Sequence, residues 1–256
     1  MMEKIYITDG SLEGLLSGIY EMYYTDDSVF DILHEPPVQM NFAVPYKEIQ
    51  TDYQKAKKVY YAIKNKISNR AADEMTHAWL SELPFCGKYI ANYLKLGFEL
   101  GYKVDFLVSH KDVMPVHQAA SKVRFETHRL TGICRFAKTA QGCYLCEVTP
   151  DHNVISFLAE HFAARMNDVN WIIHDKSRNL SAVYDTNNWY ITQSFLPSQI
   201  RYSRDEGEYQ KIWKTYFDNV AIEGRINPKL QRRFVPMRYR KNMTEFTAQH
   251  PSEDAC

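Results

Sequence analysis

The sequence predicts an α+β fold, a helical N-terminal half packed on a small antiparallel sheet of about 4–6 strands. Two observations carry this. Residues 51–130 read as successive capped helices, with apolar residues at helical spacing. After Gly132 the pattern changes to short alternating runs bounded by turn chemistry, interrupted by a single helix over 151–166. Strands and helices come in blocks. The reading is one domain over 1–246, with a helical subregion 51–130, a sheet-rich subregion 131–195, a C-terminal helix and basic strap over 205–246, and a frayed tail at 247–256.

Residues 4–7 (K-I-Y-I) predict a short strand, and Asp9 or Ser11 is placed to cap a helix over 12–24. Residues 26–45, broken by Pro36, Pro37 and Pro45, read as a connector with room for a short strand near 38–42. Thr51 and Gln54 have the spacing of a capping box for a helix ending near Ile67. Its face of Ala56, Val59, Tyr60 and Ile63 points inward, and Lys55, Lys57, Lys58 and Lys64 read as a solvated face. Further helices follow over 69–83, ended by Pro84, and 87–100, closed by Gly101. A fourth starts near Asp112, carries Pro115 in its first turn and breaks at Gly132. Residues 133–136 and 143–148 then predict paired strands. Residues 169–174, 180–184 and 189–192 predict a meander, turned by D-K-S-R-N at 175–179 and D-T-N-N at 185–188. A helix over 205–220 carries Tyr209, Ile212, Trp213, Tyr216 and Phe217.

Composition bounds the function. The 256 residues are 45% hydrophobic and 14% aromatic, enough for a sizeable core. No apolar run reaches the roughly 18 residues of a membrane span. No signal-peptide pattern is present, and five cysteines, an odd number, read as thiols of a reducing compartment. A soluble cytoplasmic protein is expected. The formal net charge of zero hides segregation. Residues 122–138 hold five Lys/Arg and one acid, and residues 225–241 hold seven and none, leaving 19 basic against 30 acidic residues elsewhere. Two such segments are either a local electrostatic footprint or partners for the acidic remainder.

The stretch 122–136 (K-V-R-F-E-T-H-R-L-T-G-I-C-R-F) concentrates the chemistry. On its helix Val116, Ala120, Val123, Thr127 and Leu130 form the core stripe, and His117, Ser121, Arg124 and His128 a second line. Lys122, Glu126 and Arg129 flank the core stripe on its other side, and Phe125 lies opposite it, where the sheet is expected to cover it. The second line has three readings: phosphate contact through Arg124, acid/base chemistry through His128, or an ordinary polar flank. His161 and Arg165 form an i,i+4 pair at the edge of a buried face, and Asp175 and Arg178 sit in a hairpin turn. Cys143 and Cys146 point to opposite faces of a strand and cannot chelate as a zinc knuckle does, and no P-loop or other cofactor motif occurs, so neither metal nor cofactor is predicted. In R-R-F-V-P-M-R-Y-R-K at 232–241, cations alternate with Phe234 and Tyr239. This is either a nucleic-acid contact or an extended strap with those rings packed on the core.

Several stretches together resemble one bacterial family. They are Y-I-T-D-G-S-L-E-G-L at 6–15, residues 51–56 and 124–136, P-D-H-N…H-F-A-A-R at 150–165, residues 171–178 and R-F-V-P-M-R-Y at 233–239. The set, which spans most of the chain, resembles a family of DNA metabolism or repair proteins whose genes sit beside a radical-SAM DNA modification/repair protein. A similar domain occurs fused to uracil-DNA glycosylase-like domains. The family pattern is similar to H-R-M-x-G-F-x-R-F, where this chain has the apolar swaps Leu130, Ile133 and Cys134.

The resemblance implies DNA and a radical-SAM enzyme as partners, and marks Glu126, His128, Arg129, Arg135, His161, Arg165, Asp175 and Arg178 as candidate site residues. The expected function is a DNA-repair accessory protein. Nucleic acid would be bound by Arg124, Arg129, Arg135, Arg165, Arg178, Arg232, Arg233, Arg238, Arg240 and Lys241. Two alternatives stand beside it. One is an enzyme acting on DNA or a nucleotide with His128, His161 and Glu126 as catalytic groups. The other is an adaptor whose basic face meets an acidic protein.

Overall fold

The computed structural model describes residues 3–25, 28–34, 44–193, 200–225 and 227–246. The expected strand at 38–42 and the tail at 247–256 lie outside them. The chain groups into two compact units, 1–124 and 125–256, with the boundary inside one helix.

The first unit opens on β1 (Glu3–Ile7), the centre of a three-stranded sheet ordered β2-β1-β3, with β2 at Ser28–Leu33 and β3 at Tyr46–Glu48. Both neighbours pair with β1 in parallel. β2 falls inside the 26–45 stretch expected to be a connector, and β3 just after it, where no strand is expected. Parallel pairing is non-local, and the buried Asp31 interrupts the apolar pattern of β2. Asp31 is satisfied by the backbone N–H of Lys88 at 2.7 Å. Between β1 and β2 runs α1 (Leu12–Tyr24), capped by Ser11, whose hydroxyl accepts from Gly14 N at 2.9 Å. The cap of α2 (Tyr53–Lys66) is Asp52, which accepts from Gln54 N and Lys55 N, and not Thr51 as the spacing predicts. The Thr51 hydroxyl instead donates to Asp9 at 2.7 Å, leaving the stronger carboxylate cap to its neighbour.

Next come α3 (Asn69–Leu80) and α4 (Cys86–Leu100). α3 stops short of residue 83 because the Ser81 hydroxyl turns back onto Ala78 O and Glu82 takes a positive φ. At Gly87 a Cβ would stand 2.2 Å from Ile32 O, so α4 approaches β2 where only glycine fits. Leu15, Ile19, Ile63, Met75, Ile90 and Leu94 anchor the core of this unit. α5 (Met114–Ile133) runs through Gly132, where a break was expected.

In the second unit the five-stranded sheet is ordered β4-β5-β6-β7-β8: Ala137–Lys138, Tyr144–Val148, Trp171–Asp175, Leu180–Tyr184 and Trp189–Thr192. The α+β class stands, but the sheet is mixed rather than antiparallel. β5 and β6 pair in parallel because α6 (Ile155–Arg165) crosses between them, while the other pairs are antiparallel. Because α5 continues to Ile133, the first strand begins at Ala137 and not at Ile133. Trp171 stacks on its cross-strand partner Tyr184, and Leu158, Phe162 and Ile173 are buried nearby in sequence and sheet. Three helices end the described chain: α7 (Glu206–Val220), α8 (Pro228–Phe234) and α9 (Met237–Arg240). The basic segment is therefore helical rather than an extended strap. Asn227 caps α8 by accepting from Leu230 N, Pro228 occupies its first turn, and Pro236 opens α9. Among the described residues no helix is long and apolar enough to cross a membrane.

Candidate functional site

Glu126, the lone acid of the cationic stretch, is only 4% exposed. One carboxylate oxygen accepts from Asp151 N at 2.8 Å and the other from His152 N at 2.8 Å. The Tyr239 hydroxyl donates to it as well. Burial, and then the bond to Glu126, push the Tyr239 phenol up to about 12, so it stays a donor at neutral pH. Arg238 pairs with Asp151 at 2.6 Å. Arg178 reaches the same loop, donating to Pro150 O at 3.3 Å and Asp151 O at 2.9 Å, and is held by Asp175 at 3.0 Å. Burial outweighs these bonds and raises the Asp175 carboxyl. Glu126 and Arg178 thus grip the 150–152 loop, and Glu126 also ties α9 to α5. Stretches quoted for the family resemblance converge in this one network.

A second clamp joins α7 to the segments after α5 and after α9. Arg135 donates to both oxygens of Glu245, at 3.2 and 2.6 Å, and its guanidinium lies 5.0 Å from the Trp213 ring centroid. Trp213 Nε1 donates to the same carboxylate at 3.2 Å. Burial alone would raise the Glu245 carboxyl, but the Arg135 hydrogen bonds and charge, with the Trp213 bond, hold it below its usual value of 4.5. Stability from this clamp is therefore complete above that value and lost as pH falls through the lower folded pKa. Glu245→Gln is expected to cost roughly 2–3 kcal/mol at neutral pH. In urea melts the gap from wild type should close below pH 4.5; a gap unchanged down to pH 2 would contradict the assignment.

The predicted cations divide by partner. Arg124 pairs with Asp73 at 2.7 Å and Glu74 at 3.1 Å, inside the first unit. Arg135 and Arg178 are engaged as above. Arg240 donates to Val235 O and Gln231 and covers Phe246. Among the described residues, the side chains of Arg129, Arg165, Lys229, Arg232, Arg233 and Lys241 have no hydrogen-bond or ion-pair partner, and all but the half-buried Arg129 are exposed. Among the described residues exposed cations without partners remain in both stretches: Lys122 and Lys138 in 122–138, and Arg225, Lys229, Arg232, Arg233 and Lys241 in 225–241. His128 and His161 are exposed, whereas Glu126 is buried, so this trio does not share one environment. Phe125 is 70% exposed, contrary to the expected cover by the sheet.

Phe234 and Tyr239 part company: Phe234 is 63% exposed and Tyr239 is buried. A cavity of about 10 Å³ beside Tyr239, lined also by Leu130, Cys134, Arg135, Glu147 and Met243, has room for about one water. It admits no nucleotide. Cys134 contacts the Cys146 thiol, and this contact together with burial pushes the Cys134 thiol well above its usual range. It is not poised as a nucleophile. Among the described residues no group of three or more His, Cys, Asp or Glu is placed to hold a metal. Glu245, missed in the sequence, had one signal: it is the first acid after the long cationic run.

A family model described as a domain of unknown function, DUF4130, matches residues 86–245. The chain belongs to the DUF4130 family. The DUF4130 match spans α4 to the Glu245 clamp and so takes in the whole Glu126 network. No curated protein matches the sequence.

Proposed function

We propose that this DUF4130 protein binds nucleic acid through its C-terminal helices. One observation carries the reading: residues 225–241 hold no acid, and Lys229, Arg232, Arg233 and Lys241 are exposed there without partners among the described residues. Unpaired cations on a structured segment release counterions from a phosphate backbone without first breaking an internal ion pair. The end of the segment is anchored, since Tyr239 and Arg238 of α9 are tied to Glu126 and Asp151. DNA as the nucleic acid, and a radical-SAM enzyme as the companion, come from the family resemblance, which makes the protein a DNA-repair accessory.

The acid/base reading has less support. Both Glu126 oxygens already hold backbone N–H groups, which is the work of a structural carboxylate. The adaptor reading shares the same cations and is separated by competition. Fluorescence anisotropy with labelled DNA at low salt is expected to show binding that unlabelled DNA displaces better than poly-glutamate of equal charge. Absence of binding at low salt would overturn the proposal, and equal displacement by poly-glutamate would favour an acidic protein partner.

A further inference from the structure

We infer that the ligand is single-stranded nucleic acid, and that its unpaired bases stack on an aromatic ladder along α7. This rests on the nucleic-acid reading above and deepens it. The ladder is Tyr209, Trp213 and Tyr216, flanked by Ile212 and Val220. At 100° per residue these five side chains fall within an arc of about 100°. An apolar arc of that kind ordinarily faces the core. Here it faces out: Tyr209 is 65%, Ile212 64% and Tyr216 57% exposed.

The helix is nonetheless anchored along its other edge. Glu206 is buried and accepts from Lys138 N at 2.8 Å, and Phe217 packs edge-on against Phe246 at 5.8 Å. The exposed arc therefore belongs to a fixed helix. Trp213 is itself immobilised, with Nε1 bound to Glu245 and one ring face under the Arg135 guanidinium. Tyr216 lies beside it, ring centroids 5.8 Å apart and planes tilted by 34°. A platform already rigid loses little entropy when a base settles on it.

Chemistry and charge select the occupant. Three of the five residues are rings, and two of those carry a hydroxyl tip that suits a wet interface. Successive rings climb the helix by about 6 and 4.5 Å, a step that neighbouring bases of an extended strand can follow. Duplex DNA hides its base faces, so only an unpaired strand can use them. One cation of α9 adjoins this helix: Arg240 covers Phe246 at 4.4 Å, and Phe246 is the ring packed on Phe217 of α7. Phosphates would track α8 and α9 while bases face α7.

The test compares anisotropy titrations of a labelled single strand of roughly 15 nucleotides and its duplex. The proteins are wild type, Tyr209→Ala/Tyr216→Ala and Tyr209→Phe/Tyr216→Phe. All substituted side chains are more than half exposed, and circular dichroism checks that the fold is kept. The wild type is expected to prefer the single strand. The alanine pair should weaken single-strand binding about tenfold or more with the duplex affinity unchanged, and the phenylalanine pair should behave as wild type. Salt-sensitive binding that the alanine pair leaves intact would overturn the ladder and leave the nucleic-acid reading standing. Failure of both DNA forms to bind would overturn both. A concentration-dependent dimer lost in the alanine pair, with DNA affinity unchanged, would reassign the arc to a second copy of the chain.

Discussion

Glu126→Ala is expected to destabilise the second unit by about 2–4 kcal/mol, because it strands neutral donors that now share one carboxylate. The substitution strands the N–H groups of Asp151 and His152 and the Tyr239 hydroxyl. Each loses a charged acceptor, and the buried Tyr239 hydroxyl keeps its desolvation cost in full while the two half-buried N–H groups keep part of theirs. Glu126→Gln keeps one acceptor oxygen but turns an amide NH2 toward a donor, and should fall between wild type and alanine. Urea unfolding followed by tryptophan fluorescence measures the effect. A loss below 1 kcal/mol for the alanine variant would show that the network contributes little. Because Tyr239 leads α9 back to α5, the same variant should also loosen the cationic helices and weaken nucleic-acid binding.

Arg232→Glu/Arg233→Glu should reduce nucleic-acid affinity about 100-fold at low salt, since two favourable phosphate contacts become two repulsive ones. Neither side chain has a hydrogen-bond or ion-pair partner among the described residues, so stability should stay within about 0.5 kcal/mol of wild type. The pair Lys57→Glu/Lys58→Glu, on the solvated face of α2, serves as the charge-matched control. An equal loss from both pairs would mean that net charge and not a defined surface drives binding. Reversal of Arg124 or Arg135 is a poor test of the same idea, because each would break an internal carboxylate pair.

Local chemistry made much of the fold legible. Ser11 caps α1 as its position predicts, and the two hairpin turns close where D-K-S-R-N and D-T-N-N place them, with Asn179 and Thr186 at positive φ. Gly101 closes α4 with φ 62°. What could not be read depends on residues far apart in sequence. β2 is defined by its register with β1, and the parallel β5–β6 pair by a crossover helix.

The candidate site shows the same divide. Arg135 and Arg232 look alike as cations in a run. Only the fold shows that Arg135 meets Glu245, 110 residues away, while Arg232 has no hydrogen-bond or ion-pair partner among the described residues. Glu126 stood out in the sequence as a single acid among cations, but its partner Tyr239 lies 113 positions on. Tyr239 and Phe234 share one motif, and burial alone separates the structural ring from the free one.

The most direct measurement is the slope of log affinity against log salt for a labelled single strand, in wild type and in Arg232→Glu/Arg233→Glu. Engagement of Lys229, Arg232, Arg233 and Lys241 predicts a wild-type slope of about −3, and a slope shallower by roughly 1.5 in the variant. Affinity that does not change with salt, or a slope that the charge reversal leaves untouched, would contradict binding at the C-terminal helices.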